Sequence, residues 1–510
     1  MLLPARTGAL TGARPGRRPW PLTAPIATRI VIGLTVLSVI VRFALIDSQS
    51  YWLDEAQAAH ELSLSFGAML GAWSRAEWNP PLYFLIAWPW AKVFGTGELG
   101  LRSLSALLGA GLVPLLYLSG RELVSSRAGV VAAALASVNP FMIWYSQEAR
   151  EYMLLVVLCA ASLLFFARAW RSPSSRELAW WAIFSALAMV TQYFAGFLIL
   201  AEGLLLLYRA RSRAALIACA VQVVVVAPLI PHVIPQLRSP AEFITSQPLS
   251  QRLAQVPVTF ALNTLYKGPA VSYGLLGAAA LAAAVIALLV IGGDDRELRG
   301  AGIAAVLAGS VLLIPLVVAL AGHDDYIARG LMPAWPPLAI VIGAACTTRG
   351  AKLPGAALVA VLMGSFAWAA IKIDTDSSYQ RPDWRGVATA LGSTGATRAV
   401  VAYDGQFATG PLSIYLPRVA WSGPGESAGA NAGPVTVREL DVVGETSQTL
   451  GRLPPGTRLI GSRAVDGYQV DRFSLARPWA TSAPAILHRA TSLLTPVPAG
   501  ASVIIQRGSA

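Results

Sequence analysis

Two short stretches place charged side chains inside long runs of apolar sequence. In YWLDEA they are Asp54 and Glu55, and in YSQEAR they are Glu148 and Arg150. A charged side chain at membrane depth costs about 2.5 to 3.5 kcal/mol at a helix centre and commonly marks a substrate site. A lone aspartate at a helix end is often only a solvated cap. The conjunction of two such stretches therefore favours a functional site, provided that both lie on one side of a membrane.

The composition predicts a polytopic membrane protein. The chain has 510 residues, of which 55% are hydrophobic and 13% charged, whereas soluble domains carry about 25% charged residues. A net charge of +12 would ordinarily suggest nucleic-acid binding. Here the arginines stand singly or in small groups between apolar segments, where they orient helices in an anionic membrane. We therefore expect membrane lipids as partners and no nucleic acid.

Cysteines and the N-terminus add little chemistry. Cys159, Cys219 and Cys346 lie in apolar segments without CxxC spacing, so neither a disulfide framework nor a metal cluster is predicted. Residues 1–24 contain four arginines and precede a long apolar run without an A-x-A cleavage site. We interpret them as a cytoplasmic segment ahead of an uncleaved signal anchor.

Eleven apolar segments are candidates for membrane-spanning helices, since a span needs about 20 residues. They lie at 25–46, 99–118, 128–146, 149–168, 177–192, 194–209, 214–233, 270–292, 300–321, 331–347 and 353–372. Five connectors carry Lys or Arg and are predicted to face the cytoplasm: RELVSSR, RAWRSPSSRE, RARSR, GGDDRELR and TTRGAK. Both charged stretches then face outward. The fifth and sixth segments, 177–192 and 194–209, are short for a span. Omitting one of them would break the alternation of cytoplasmic and outer connectors, so both are kept.

The first outer connector is long and rich in tryptophan. Residues 55–75 have amphipathic helical spacing, and NPPLYFLIAWPWAKVFG at 79–95 is apolar but interrupted by proline. Tryptophan favours the membrane interface, so short interfacial helices are expected here.

Beyond the last apolar segment, residues 373–510 change in composition. Apolar runs shorten, while YQRPDWRGVATAL predicts a connector into a helix. RAVVAYD, PVTVRELDVV and ASVIIQRG predict strands, and 422–434 predicts a flexible loop. We expect a small extracytoplasmic α/β domain without a catalytic constellation. The remainder, 25–372, forms the transmembrane domain.

Several motifs together resemble the membrane glycosyltransferases of the GT-C superfamily, and specifically the branch of protein O-mannosyltransferases and lipid A aminoarabinose transferases. They are YWLDEA, NPPLYF, GELGLRSLSAL, NPFMIWYSQEAREYML and YIARGLMPAWPPLAI, in order over about residues 30 to 350. The resemblance implies a polytopic α-helical bundle of about 11 transmembrane helices with an extracytoplasmic active site. It also implies transfer of a sugar from a polyprenyl-phosphate carrier to a lipid, glycan or protein acceptor.

The resemblance assigns the general base to Asp54, with Glu55 orienting the acceptor or tuning the base. A polyprenyl phosphate leaves without protonation, so one carboxylate suffices for a single inverting displacement. Like charges and partial burial are expected to raise the pKa of one member of this pair.

The departing phosphate needs cations, and Arg102, Arg150 and Arg329 lie near outer helix ends. Arginine binds phosphate oxygens bidentately, although each of these side chains also has a reading as an interfacial arginine.

Four further residues are expected in contact with substrate. Glu148 binds sugar hydroxyls, pairs with Arg150 or holds an ion, and Tyr152 and Tyr193 are candidates for stacking on sugar or carrier. Asn79 stands where relatives often carry His or Lys, which puts the phosphate contact there in doubt.

Three questions stay open at this point. A divalent cation remains an alternative cofactor, with the acidic HDDY at 323–326 as one location, and no metal ligand is assigned. The second functional reading is a lipid or sugar transporter or flippase, although no internal repeat in hydropathy supports it. Mannose, arabinose and aminoarabinose all remain candidate sugars.

Overall fold

A computed structural model describes residues 24–238, 242–266, 270–403, 406–419, 421, 434–490, 493–495 and 500–508. Nearly all of the predicted cytoplasmic segment 1–24 and of the predicted loop 422–434 lies outside these residues. The first part of the chain is helical. Its helices are α1 Ala24–Phe43, α2 Leu53–Ser63, α3 Phe66–Ala76, α4 Leu82–Phe94, α5 Glu98–Leu123, α6 Ser126–Val138, α7 Pro140–Ser146, α8 Tyr152–Arg171, α9 Ser175–Met189, α10 Ala195–Ala210, α11 Arg213–Val226, α12 Ile230–Arg238, α13 Glu242–Thr245, α14 Leu249–Leu262, α15 Ala270–Gly292, α16 Asp295–Leu320, α17 Trp335–Cys346 and α18 Lys352–Thr375.

Among the described residues, seven helices are long and apolar enough to cross a membrane, and eight if the bent pair α6–α7 counts as one span. Each of the eleven predicted segments falls on helix. Helices α9, α10 and α17 are 15, 16 and 12 residues long. At about 1.5 Å per residue each is shorter than a hydrocarbon core of about 30 Å. The count of eleven crossings therefore stays a prediction, whereas a multi-pass helical bundle is confirmed.

Four of the Arg-rich connectors meet at one end of the bundle. Arg171 pairs with Glu122, which joins the connectors that follow α8 and α5. Arg349 lies 3.8 Å from Asp294, which joins the connectors that follow α17 and α15. A Cβ at Gly300 would come within 2.3 Å of the last carbonyl of α5. The two pairs of connectors are therefore neighbours, as the alternation of arginines predicts.

Small residues bring the central helices α5, α6 and α17 together. A Cβ at Gly129 would lie 2.3 Å from the Tyr117 carbonyl oxygen, and one at Gly343 would lie 2.4 Å from that of Ala128. Gly120 packs directly on Gly129 in the same way. Such close backbone approach is the usual basis of helix association in membranes, where apolar burial gives little driving force.

The first connector folds into three short helices, α2, α3 and α4, as expected, while their position at the membrane interface stays a prediction. Lys92 near the end of α4 donates to the carbonyls of Leu62, Ser63 and Leu64, which closes the C-terminal end of α2. The backbone N–H of Leu82 donates to the carbonyl of Val190 between α9 and α10. The turn between α9 and α10 therefore lies at the same end of the bundle as α2.

The C-terminal part is an α/β domain, as its composition predicts. Its elements are α19 Trp384–Leu391, β1 Arg398–Ala402, α20 Gln406–Tyr415, β2 Val435–Glu445, β3 Thr449–Leu450, β4 Thr457–Val465, β5 Tyr468–Thr481, α21 Ala483–Ala490, β6 Leu494–Thr495 and β7 Ser502–Gln506. The five-stranded sheet has the order β4-β5-β2-β1-β7, with β1 and β2 parallel and the other pairs antiparallel. Apolar side chains cover both faces of the sheet, with α21 on one face and α19 and α20 on the other.

Candidate functional site

Helix α2 separates the two neighbouring acids of its first turn. Successive residues of an α-helix point about 100° apart. Glu55 therefore faces the bundle and is fully buried, while the Asp54 side chain retains 27% exposure. Both carboxylates lie where the helix dipole favours negative charge. Of these two acids, only Asp54 is accessible to a substrate.

Glu55 is held by cations and by backbone. Arg102 donates to its two oxygens at 2.8 and 2.7 Å, and the N–H of Ala149 donates to Oε1 at 2.9 Å. The Arg381 guanidinium lies 3.7 Å from Oε2. Burial by itself raises the pKa of this carboxyl, but the charges of Arg102 and Arg381 and the hydrogen bonds from Arg102 and Ala149 bring it below its usual value. The rise in pKa that was expected for one of the two acids therefore does not occur at Glu55.

The connector between α7 and α8 brings the second charged stretch to the first. Gln147 donates to the carbonyls of Arg42 and Ala44 at the end of α1. This contact fixes the turn, so that Ala149 reaches Glu55. The structure thus joins the two stretches whose proximity the sequence predicts.

Glu148 is a buried carboxylate with one open oxygen. Its Oε2 accepts a hydrogen bond of 2.9 Å from Arg381, while its buried Oε1 has no hydrogen-bond partner among the residues that the structure describes. Burial raises the pKa of Glu148 to about 7, with Glu55 and Asp54 adding to the rise and Arg381 opposing it. The influence of Asp54 places these two carboxylates in one electrostatic cluster.

Arg150 and Asn79 belong to an internal network. Arg150 makes a bidentate ion pair with Glu77 at 2.7 and 3.0 Å, and it lies 3.1 Å from Glu151. Asn79 donates to the other oxygen of Glu151 at 2.8 Å. Arg150 is only 6% exposed, so this network positions the segment before α8 and leaves little of the guanidinium for a ligand.

Arg102 is also used inside the protein. Besides its two bonds to Glu55, it donates to the backbone carbonyls of Ile46, Gln49 and Ser50. All five of its N–H groups thus have partners, and its exposure is 1%. The geometry therefore assigns Arg102 to positioning Glu55, in place of the expected phosphate contact.

Arg329 is the most accessible of the three arginines that were predicted to bind phosphate. Its side chain is 23% exposed, lies 3.5 Å from Asp54 and sits over the Trp52 ring at 5.8 Å. Arg252 fixes its loop by pairing with Asp324 and donating to the Tyr326 carbonyl. An arginine beside the accessible carboxylate thus stands on an anchored loop.

The two predicted tyrosines differ in surroundings. Tyr152 is buried, with its ring edge-on to Tyr145 at 4.8 Å between centroids. Tyr193 lines an apolar groove of about 360 Å³ together with Met189, Val226, Ile230, Val233 and Ile234. The neighbouring Phe194 ring packs on Gly330, where an added Cβ would come within 3.1 Å. The turn that carries Tyr193 therefore contacts the loop that carries Arg329.

A divalent cation fits these acids poorly. Asp54 is paired with Arg329, Asp324 with Arg252, and one oxygen of Glu148 with Arg381. In the part of the chain that the structure describes, no group of three or more His, Cys, Asp or Glu side chains is placed to hold a metal ion. Carboxylates already matched to arginines do not form the donor set of a dedicated cation site.

Two residues of the cluster were not predicted from the sequence. Arg381 stands 233 residues from Glu148, and Glu77 stands 73 residues before Arg150. The only signal for Arg381 was an arginine in the connector that leaves the membrane segment, and for Glu77 an acid beside the Asn–Pro–Pro motif.

Comparison with known proteins supports the family resemblance. Residues 78–234 match the model of the family described as dolichyl-phosphate-mannose-protein mannosyltransferase, a match over less than half of the chain. It includes Asn79, Arg102 and Glu148, whereas Asp54 and Arg329 lie outside it. No curated protein matches.

Three solved structures are similar at low identity. ArnT from Cupriavidus metallidurans bound to undecaprenyl phosphate shares 15% identity and a TM-score of 0.49, over 88% of this chain and 98% of that one. The mycobacterial arabinofuranosyltransferase AftD shares 16% and 0.46, over 88% and 42%. The protein O-mannosyltransferase Pmt1–Pmt2 complex of S. cerevisiae bound to the sugar donor shares 18% and 0.33, over 41% and 33%. With the family match over 78–234, the chain resembles the GT-C superfamily of membrane glycosyltransferases.

Proposed function

We propose that this protein transfers a sugar from a polyprenyl-phosphate carrier to a hydroxyl-bearing acceptor by one inverting displacement. The observation that carries the proposal is the Asp54–Arg329 pair, a partly exposed carboxylate and a partly exposed guanidinium 3.5 Å apart. A displacement of this kind needs a base for the acceptor and a cation for the departing phosphate. Asp54 supplies the base and Arg329 the cation.

The reaction uses Asp54 as the base. Its carboxylate takes the proton of the acceptor hydroxyl as the oxygen attacks the anomeric carbon of the sugar. The bond between that carbon and the phosphate oxygen breaks at the same time, and the carrier leaves as a phosphate anion. Attack from the opposite face inverts the anomeric configuration, and no protonation of the leaving group is required.

Arg329 binds the phosphate in this proposal. Its guanidinium can exchange the 3.5 Å contact with Asp54 for two charge-assisted hydrogen bonds to phosphate oxygens. The apolar groove beside Tyr193 takes the polyprenyl chain, since its lining is almost entirely hydrocarbon and the turn that carries Tyr193 contacts Gly330, next to Arg329.

Glu148 binds the sugar in this scheme. Its unpartnered Oε1 is an acceptor for a sugar hydroxyl, and its other oxygen is fixed by Arg381. Glu55, Arg102, Arg150 and Asn79 then hold the backbone that carries the reacting groups. The site faces the exterior of the cell, because the Arg-rich connectors lie at the opposite end of the bundle.

The choice of sugar is the finer part of the proposal, and a panel of donors tests it. Purified protein in detergent is supplied with labelled polyprenyl-phosphate mannose, arabinose and aminoarabinose, and release of carrier phosphate is followed together with the fate of the label. We expect release from one donor class in the presence of acceptor. If the protein instead moves intact carrier lipid across liposomes and leaves every sugar–phosphate bond unbroken, it is a transporter and the proposal fails.

A further inference from the structure

We propose that Arg381, contributed by the segment that leads into the C-terminal domain, is a positioning residue of the reacting centre. The inference rests on the proposed glycosyl transfer and extends it to a part of the chain in which the sequence shows no catalytic constellation. It makes the C-terminal domain a component of the active site.

Arg381 bridges two carboxylates that come from distant parts of the membrane domain. Its Nη2 donates to Glu148 at 2.9 Å, and its Nε lies 3.7 Å from Glu55. Nη1 donates to the carbonyl of Gln147 at 3.3 Å, and the guanidinium lies 4.3 Å from the centre of the Trp144 ring. Only an arginine combines a planar stack with several donors in fixed directions.

The bridge is buried and balanced in charge. Arg381 is 7% exposed, Glu148 1% and Glu55 fully buried. Arg102 and Arg381 together match the two carboxylates, so neither charge is left alone in a medium of low dielectric. Without Arg381, Glu148 would have no cation within hydrogen-bonding distance among the described contacts. It would then take up a proton or turn away from its position.

The connector is also fastened to the chain just before α2. The N–H of Arg381 donates to the side chain of Gln49, and the Ser50 hydroxyl donates to the carbonyl of Pro382. The N–H of Trp384 donates in turn to that hydroxyl. The backbone from Arg381 to Trp384 is therefore held in place, and the guanidinium fixes Glu148 relative to α2, which carries Asp54.

The charged groups around Glu148 give the direction of the pH effect. Asp54 and Glu55 oppose its ionisation, and Arg381 and Arg329 favour it. Arg381 is the cation in direct contact with Glu148. Its removal raises the pKa of Glu148 further, by about one to three units for loss of an adjacent opposite charge. If the ionised form binds the sugar, the acidic limb of the activity profile moves to higher pH.

Three variants test the inference with the labelled donor that the wild-type protein consumes. Arg381→Gln removes the charge, Arg381→Lys keeps the charge but reaches only one carboxylate, and Arg385→Gln is the matched control. Arg385 lies on the same connector and docks it through Glu98 and the carbonyls of Asp47 and Gln49, without contacting Glu55 or Glu148. Rates are measured as kcat and KM from pH 5 to 9.

We expect Arg381→Gln to lower kcat by on the order of 10- to 100-fold, because small misplacements of reacting groups have effects of this size. The acidic limb of its pH profile should move to higher pH by about one unit or more. The kcat and pH profile of Arg381→Lys should lie between those of wild type and Arg381→Gln, and Arg385→Gln should keep the wild-type profile. Wild-type kcat and pH profile in Arg381→Gln would overturn the inference. An equal loss of kcat in Arg385→Gln would also overturn it, because it would show that docking of the connector alone determines the rate.

The lysine variant covers the case in which Arg381→Gln does not fold. Arg381→Lys with an unchanged pH profile and kcat then overturns the inference, whereas a raised acidic limb supports it. Failure of the proposed function is distinguishable from both results, because in that case the wild-type protein itself transfers no sugar from any donor of the panel.

Discussion

At the scale of single residues, the two neighbouring acids Asp54 and Glu55 have different tasks. Glu55 is enclosed by Arg102 and the N–H of Ala149, so its charge stabilises the position of the loop. Asp54 keeps an accessible face beside Arg329. The helical period alone creates this difference, since it turns one side chain into the bundle and the next toward the open side.

The buried pair of Arg150 and Glu77 provides a stability test. Their side chains are 7% and 3% exposed. Glu77→Gln leaves the guanidinium buried without its bidentate partner, and breaking a buried pair in this way costs on the order of 3–5 kcal/mol. We expect a marked fall in the thermal unfolding midpoint in detergent. The control is Glu122→Gln, whose partners Arg121 and Arg171 are 40% and 53% exposed and whose effect should be about 1 kcal/mol or less. Equal midpoints for the two variants would contradict this account.

Glu61 gives a prediction about pH. Burial, with a smaller contribution from Glu77, raises its pKa from 4.5 to about 7. The folded protein then holds a proton between pH 4.5 and 7 that the unfolded chain releases, so this group stabilises the fold at low pH. Its contribution is lost as the pH rises toward 7. Glu61→Gln should make the unfolding midpoint less dependent on pH between 5 and 7.5, as scanning fluorimetry would show. A variant with the wild-type slope would refute the assignment.

The cluster could be anticipated from the sequence only in part. The alternation of Arg-rich connectors places both charged stretches at one end of the bundle, and the structure joins them through Glu55 and Ala149. The partners of Glu148 and Arg150, which are Arg381 and Glu77, were not predictable in this way. Arg381 lies 233 residues from its partner, and no local pattern encodes a contact across that distance.

At the scale of elements, contact between helices through glycine holds the centre of the bundle. Gly129 of α6 lies so close to α5 that a Cβ would meet the Tyr117 carbonyl at 2.3 Å. Gly129→Leu must separate the helices, and overpacking of this kind costs on the order of 1–3 kcal/mol. The matched control is Gly111→Leu, since a Cβ at Gly111 meets nothing within 4 Å. We expect only Gly129→Leu to lower the yield of monodisperse protein in size-exclusion chromatography; equal yields would count against this packing.

Helix positions were predictable at this scale because apolar segments and arginines repeat along the chain. The predicted strands at 398–404, 434–443 and 501–508 coincide with β1, β2 and β7. Strands β1 and β7 are buried along their whole length and β2 over most of its second half, so their sequences are short continuous apolar runs. The hairpin of β4 and β5 was not predicted. Strand β4 is exposed or partly exposed along its whole length, so its sequence lacks the apolar pattern that marks a strand.

At the scale of the whole molecule, the two parts of the chain are joined around the site. Tyr415 of α20 donates to Glu98 and accepts from the N–H of Tyr51, and Trp421 stacks on His60 of α2 at 4.3 Å. The C-terminal domain therefore covers the helix that carries Asp54. A composition that shifts after residue 373 predicted a separate domain, but these long-range contacts are not visible in composition.

Topology gives a prediction for the whole protein. Asp325 and Arg349 lie on connectors that the arginine pattern assigns to opposite sides of the membrane, and their side chains are 33% and 75% exposed. In a background without Cys219, the most accessible native cysteine, we expect Asp325→Cys to react with an impermeant maleimide on intact cells. Arg349→Cys should react only after lysis. The reverse pattern would place the site on the cytoplasmic side.

The most direct measurement for the central claim is the transfer activity of Asp54→Asn, read together with its affinity for polyprenyl phosphate. The amide keeps the shape of the side chain and removes the base, so we predict that carrier binding stays within a few-fold of wild type. Transfer should fall by on the order of 100-fold or more. Asp47→Asn, on the exposed segment before α2, should transfer normally. Wild-type transfer by Asp54→Asn would contradict the account.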